Sequence, residues 1–135
     1  MLYEKTKREL ERYLSCCFGR GIFYQYLPNV VISEGVFYIA QRTGFYWVID
    51  AIISYQTCPE ICDDPSLRHL QFWELKVNKE GNSVSLCCQN THQITGEDYQ
   101  AIYEAFSNKS FPLEELALCC APRLNGIHIY LIQEH

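Results

Sequence analysis

Residues 33–56 read SEGVFYIAQRTGFYWVIDAIISYQ, the most apolar stretch of the chain. Ser33 is a residue type that favours the N-cap position of a helix, and Glu34 places negative charge in the first turn. Apolar residues follow at helical spacing, and beyond Gly44 they are apolar nearly all round, which is typical of a helix buried on most sides. The stretch predicts a central helix over residues 34–55 that Gly44 bends or weakens.

Two hairpins are predicted after this helix. Residues 57–65 hold two prolines and three acids and predict a loop. Residues 70–77 alternate, with Trp73, Leu75 and Val77 on one face, and a turn at 78–82 leads to a second alternating segment at 83–88. Further on, two extended segments flank Asn125-Gly126, the strongest short hairpin signal, and Pro122 indicates an edge position or a bulge.

The other segments complete a predicted α+β fold. Residues 2–14 predict a short helix, and residues 95–106 a third helix with a capping box at its start. Residues 16–31 show no clear period and predict a loop or a short extended piece. Separate helices and hairpins favour an antiparallel sheet of about four strands, in two hairpins, packed with two to three helices. The length of 135 residues predicts one domain, over residues 1–135.

Charge and apolar run length exclude several classes of protein. The formal net charge of −5 argues against a general nucleic-acid-binding protein, which needs a basic face. The N-terminus lacks the apolar core of a secretory signal, and the longest apolar run, residues 45–53, is interrupted by Asp50 and is too short to span a bilayer. We therefore expect a cytoplasmic protein without membrane contact, whose eight cysteines are thiols.

The cysteine spacing gives only a weak metal prediction. Cys58 and Cys62 have a spacing found among zinc ligands, but no second pair matches it. Adjacent cysteines on a strand point to opposite faces, so they are poor joint ligands. We favour Cys88 and Cys120 as small core residues, and we expect no metal and no cofactor.

Asp50 and the tyrosines are the most informative polar residues. A carboxylate in an apolar helix is either a general base or ligand contact, or is satisfied by a nearby tyrosine, tryptophan or backbone group or by solvent; we favour the second interpretation. Ten tyrosines are many for this length, and several cluster in the N-terminal half. They are interpreted with equal weight as core filling or as a surface for a ligand or partner. The clustered tyrosines are Tyr24, Tyr26, Tyr38, Tyr46 and Tyr55.

Several of these motifs resemble a family of small uncharacterised bacterial proteins. The similarity covers most of the chain from Ser33 onward and centres on a Gly-x-Tyr-Trp-x-Ile-Asp core at residues 44–50. It continues at residues 72–78, at 111–113 and at Asn125-Gly126. The chain departs from the family pattern in its predicted 95–106 helix, its extra cysteines and its C-terminal residues.

The resemblance implies a cytoplasmic protein of bacteria or phages, since the family is common in cyanobacteria and often lies on mobile elements. It transfers no catalytic residue. It does mark Trp47, Asp50, Gln56 and Trp73, and with Tyr46 these are our candidate ligand-binding or partner-binding residues.

Three functions remain open. The first is a non-enzymatic binding or inhibitor protein, a mobile-element accessory or an antagonist of a host defence system, that binds another protein or a small molecule through a tyrosine-rich surface or pocket. The second is a small hydrolase or nucleotide-processing enzyme centred on Asp50, with His69 or His128. The third is a metal-stabilised domain using Cys58 and Cys62. The default oligomeric state is a symmetric homodimer.

Overall fold

The computed structural model describes residues 2–16, 21–78, 83–89, 102–107, 111–123 and 126–134. Its helices are α1 (Leu2–Ser15), α2 (Glu34–Thr43), α3 (Tyr46–Tyr55) and the short α4 (Pro59–Cys62), with two 3-10 turns at Pro65–Leu67 and Ile132–Glu134. Its strands are β1 (Phe23–Leu27), β2 (Val30–Ser33), β3 (Gln71–Asn78), β4 (Ser83–Gln89), β5 (Ile102–Ser107), β6 (Glu115–Arg123) and β7 (Gly126–Leu131). No helix among these residues is long and apolar enough to cross a membrane.

The described strands form one mixed sheet in the order β1-β2-β7-β6-β3-β4-β5. The α+β class is confirmed, and both predicted hairpins are present as β3–β4 and β6–β7. The prediction of about four antiparallel strands is wrong, because seven strands pair and β2 runs parallel to β7. The two hairpins join through β3 and β6, and further strands extend the sheet at both ends.

The unpredicted strands depend on partners that are distant in sequence. Residues 16–31 show no clear period and predict a loop or a short extended piece, yet they contain β1 and the start of β2. Strand β1 pairs with β2, and Val30 of β2 pairs with Ile127 of β7. Residues 102–107 form β5 along the edge of β4, so the helix predicted over 95–106 is wrong at its end. Residues 95–101 lie outside the described residues. Pairing with an open sheet edge satisfies a whole row of backbone groups, and this overrides a weak local helix pattern.

Gly44 divides the predicted central helix into two helices. Its φ is 73°, the left-handed conformation that glycine adopts freely, and its N–H donates to the Ala40 carbonyl at 2.7 Å. Helix α2 therefore ends at Thr43, and α3 starts at Tyr46. The predicted N-cap is confirmed, because the Ser33 hydroxyl accepts from the Val36 N–H at 3.2 Å. The predicted loop at 57–65 contains a helical turn, α4, which Pro59 starts.

The core lies between one face of the sheet and the helices. Trp73 and Leu75 of β3 face the same core as Leu86 and Cys88 of β4, as the alternation predicted. Helices α2 and α3 cover this face with residues such as Ile39 and Ile52, both fully buried. The adjacent cysteines of β4 and β6 are at most 7% exposed, so Cys88 and Cys120 are confirmed as core residues. All cysteines of the described residues are free thiols.

Pro122 predicts an edge position or a bulge. Strand β6 lies inside the sheet over most of its length, but at Pro122 it is paired on one side, which is an edge position for this residue. The pairing with β3 ends at Cys120, and Pro122 pairs only with Ile127 of β7. A proline is tolerated at this position because the backbone edge away from β7, where its N–H would point, has no paired strand here.

Gly126 permits the β1–β2 turn to lie against β7. The Ile127 N–H donates to the Asn29 carbonyl at 2.8 Å. A Cβ added at Gly126 would lie 2.2 Å from that carbonyl oxygen, and the φ of 138° also favours glycine. Gly126 thus leaves room for residues 28–29 to lie beside the end of the sheet.

Candidate functional site

The predicted site residues separate into two neighbouring places. Tyr46 and Asp50 lie on α3 beside Tyr26 of β1, whereas Gln56 lies at the end of α3 next to β3. Trp73 is 1% exposed and belongs to the core, and Trp47 is partly buried against it. Two candidate surfaces follow, one around β1 and one beside Gln56.

The first is the β1 surface, defined as the exposed side chains of Ile22, Phe23, Tyr24, Leu27 and Tyr46. These are the large apolar residues with the highest exposure among the described residues, from 36% to 46%. Residues 21–33 contain no charged side chain. These side chains lie on both faces of an edge strand and at the start of α3, and exposed apolar side chains that cluster in this way are characteristic of an interaction surface.

Aromatic contacts hold the β1 surface in place. The Tyr26 and Tyr46 rings stack at a centroid distance of 6.3 Å, and the Tyr24 ring lies 4.5 Å from that of Phe37. On the other face of the strand, Phe23 contacts His128 at 5.6 Å. The clustered tyrosines fall into two groups. Tyr24, Tyr26 and Tyr46 lie at the β1 surface, whereas Tyr38 stacks on Tyr13 and Tyr55 makes a tilted contact with Trp73.

Asp50 is an exposed residue that accepts a hydrogen bond from Tyr26. The Tyr26 hydroxyl donates to its Oδ1 at 2.6 Å. Desolvation and this hydrogen bond raise the pKa of Tyr26 from 10.0 to about 12. The apolar context of α3 suggested a buried carboxylate, but Asp50 lies on the side of α3 that faces solvent and β1. This contact agrees with the favoured interpretation, in which a nearby group or solvent satisfies the carboxylate.

The second surface is a groove of about 1010 Å³ at the end of the sheet. It lies between the β1–β2 turn, the end of α3, α4, and the adjoining ends of β3, β6 and β7. Its lining residues are Leu27, Pro28, Asn29, Val30, Ile53, Gln56, Thr57, Ile61, Cys62, Leu67, Arg68, Gln71, Pro122, Arg123, Gly126 and Ile127. Leu27 belongs to both surfaces, so the groove and the β1 surface are continuous.

A closed network of amides supports one side of the groove. The Gln56 and Gln71 side chains donate to each other at 2.8 Å in both directions. The Gln71 carbonyl also accepts from Trp73 Nε1 at 2.9 Å, and its amide donates to the Leu67 carbonyl at 3.1 Å. Gln71 is 1% exposed and uses its full hydrogen-bonding capacity. These contacts fix the side chain of Gln56 at the groove.

The metal candidates Cys58 and Cys62 form thiol hydrogen bonds with nearby groups. The Cys62 thiol donates to the Thr57 carbonyl and to the Asp63 carboxylate, and Cys58 donates to the Ser54 carbonyl. Desolvation and the neighbouring Asp63 charge raise the pKa of Cys62, which opposes the thiolate that zinc binds. No group of three or more potential metal ligands occurs among the residues that the structure describes.

Sequence reasoning missed Gln71, Arg68 and Arg123. Gln71 had a detectable signal, because the alternation of β3 places it on the same buried face as Trp73 and Leu75, where a polar side chain needs partners. The two arginines had none, since they lie on separate elements and meet only at the groove.

The fold and these surfaces define a class: a small α+β protein with an apolar strand at the sheet edge and an open groove beside it. Within that class, the chain belongs to the DUF6876 family, a family of unknown function whose sequence model matches residues 8–135. This confirms the resemblance to an uncharacterised family. No curated protein and no solved structure matches the chain.

Proposed function

We propose that this protein is a non-enzymatic binding protein that recognises another protein through the β1 surface. The observation that carries the proposal is the apolar, uncharged side-chain cluster on an edge strand. Proteins commonly protect such edges with charged residues or prolines, and β1 has neither within the strand. An edge of this kind is suited to pairing with an extended segment of a partner.

The backbone geometry limits where a partner strand can pair. The Glu34 N–H donates to the Ile22 carbonyl, so Tyr24 is hydrogen-bonded to Ile32 in the same ladder. The alternation leaves the N–H and C=O groups of Phe23 and Gln25 directed away from β2. An irregularity between Gln25 and Leu27 ends the regular edge, so residues 23–25 form the pairing segment.

The partner that fits is an uncharged, apolar β-strand, and a second copy of this chain presents one. The net charge of −5 repels a second copy in general, but the β1 segment carries no charge and does not add to this repulsion. In the cell, we propose the role of a mobile-element accessory or an antagonist of a host defence system, which rests on the family resemblance. A cytoplasmic location belongs to the same proposal.

Replacement of Gln25 tests this function. Gln25→Pro removes the outward N–H without removing a β1–β2 hydrogen bond, whereas Gln25→Ala loses the same side chain and keeps the N–H. Both variants lose the side-chain contact with the Pro28 carbonyl, so they are matched in that respect. Circular dichroism and thermal unfolding establish that both are folded.

Affinity capture and mass spectrometry provide the measurement. We expect a partner that the wild type and Gln25→Ala retain and that Gln25→Pro loses. Sedimentation of the purified variants detects a homodimer that depends on the same edge. Equal recovery by all three proteins, or no partner and no self-association in the wild type, would contradict the proposal.

The enzyme alternative needs a cleft beside Asp50. Asp50 is exposed and does not line the large groove. The hydrolase and metal-stabilised alternatives remain predictions, and no geometry described above favours them over binding.

A further inference from the structure

The groove combines apolar walls with positive charge. Its apolar surface comes from residues of several elements, including Leu27, Ile53 and Ile127. Among the described residues, its lining includes two arginines and no acidic residue, although the whole chain has an excess of acids. Its volume of about 1010 Å³ is at the upper end of the range of roughly 300–1,000 Å³ typical of small-molecule sites.

The two arginines are accessible and keep donors for a ligand. Arg68 and Arg123 are exposed, and neither forms an ion pair with a described residue. The Arg123 Nη1 donates to the Pro122 carbonyl at 2.9 Å and to the His69 carbonyl at 3.2 Å. These bonds orient the guanidinium at the groove, and the Nε and Nη2 donors remain for an oxyanion.

We propose that this groove binds a small molecule with an apolar or aromatic body and one oxyanionic group. Arg68 and Arg123 bind the oxyanion, and the apolar walls cover the body. The side-chain carbonyl of Gln56, which also lines the groove, has one lone pair beyond its bond from Gln71 and provides a further polar contact. The site shares Leu27 with the β1 surface but uses neither the exposed backbone edge at residues 23–25 nor Tyr46, so the proposal does not rest on the protein-binding function.

A pair of fluorescent probes separates charge recognition from apolar burial. Anilinonaphthalene sulfonate carries the sulfonate anion, and phenylnaphthylamine has the same aromatic body without it. We expect the wild type to bind one sulfonate probe per chain. The double variant Arg68→Gln/Arg123→Gln should weaken that binding about 10- to 100-fold and change binding of the neutral probe by less than about twofold.

The control variant is Arg12→Gln/Arg42→Gln, which makes the same change in net charge at arginines outside the groove. It should leave both probes bound as in the wild type. A second variant, Thr57→Trp, places a large ring at the groove and should exclude both probes. Each variant must unfold cooperatively, so that probe binding does not report a loosened core.

Competition against the bound sulfonate probe distinguishes the sources of the anion. Displacement by decanoate assigns a carboxylate ligand, and displacement by decyl phosphate assigns a phosphate ligand. The proposal is overturned if the sulfonate probe does not bind, if Thr57→Trp leaves its binding unchanged, or if the control weakens it as much as the groove variant.

Discussion

At the residue scale, the contact between Tyr26 and Asp50 joins two segments that are 24 positions apart. The aspartate stood out in the sequence because its neighbours on α3 are apolar, while Tyr26 lay in a segment without a detectable period. The structure gives the pair a local role, since the hydrogen bond attaches β1 to α3 beside the β1 surface.

This bond predicts a pH dependence of stability above pH 10. The folded state raises the pKa of Tyr26 from 10.0 to about 12, so the native protein retains a proton that the unfolded chain loses. The stabilisation is complete below pH 10 and is lost as the pH rises to about 12. Tyr26→Phe should therefore be about 1 kcal/mol less stable than the wild type below pH 10, with a difference that decreases over this interval.

Urea unfolding at a series of pH values measures this difference. Tyr46→Phe is the matched control, because it removes the hydroxyl of the stacked ring and keeps the bond to Asp50. A constant difference between Tyr26→Phe and the wild type across the interval would show that the hydrogen bond does not titrate as described.

At the scale of elements, the β1–β2 turn reaches β7 only because residue 126 is a glycine. Gly126→Ala would bring a Cβ to 2.2 Å from the Asn29 carbonyl oxygen. The turn and β7 cannot move apart without breaking the pairing of β2 with β7. We expect a loss of about 2–4 kcal/mol in the free energy of unfolding, measured by chemical denaturation.

Gly44→Ala separates steric overlap from backbone strain. Gly44 also has a positive φ, 73°, but a Cβ there meets nothing within 4 Å. Gly44→Ala should lower the free energy of unfolding by only about 1–2 kcal/mol, the cost of placing alanine in the left-handed conformation. If the two alanine variants lose equal stability, the close approach of residues 28–29 to β7 is not what requires Gly126.

At the scale of the whole molecule, the buried cysteines of β4 and β6 show that the middle of the sheet is shielded from solvent. Burial raises the pKa of Cys119 to about 11 and raises those of Cys88 and Cys120 further. The adjacent cysteines of β4 (Cys87 and Cys88) and of β6 (Cys119 and Cys120) lie on interior strands, so only a large opening of the sheet exposes them. Their thiols should stay protonated and protected in the native protein.

Alkylation followed by peptide mass spectrometry tests this prediction under native conditions. Fast labelling is expected at the exposed or half-buried sites, Cys16, Cys58 and Cys62. At Cys87, Cys88, Cys119 and Cys120, we expect slow labelling that requires global unfolding of the protein. Native labelling of Cys119 or Cys120 as fast as that of Cys62 would contradict the buried sheet.

The sequence by itself determined those features that depend on neighbours in the chain. The Ser33 cap, the β3–β4 and β6–β7 hairpins, the shared face of Trp73 and Leu75, and the buried cysteines all follow from local spacing and turn chemistry. The α+β class follows from these elements.

Only the tertiary structure decided the parallel pairing of β2 with β7, the strand at residues 102–107 and the groove. Each depends on segments that are far apart in the chain, and their energy comes from sheet edges and surfaces that exist only after folding. The same reason explains why Arg68 and Arg123 gave no signal in sequence. Two charges separated along the chain line one groove only when the 3-10 turn before β3 and the end of β6 come to the same place.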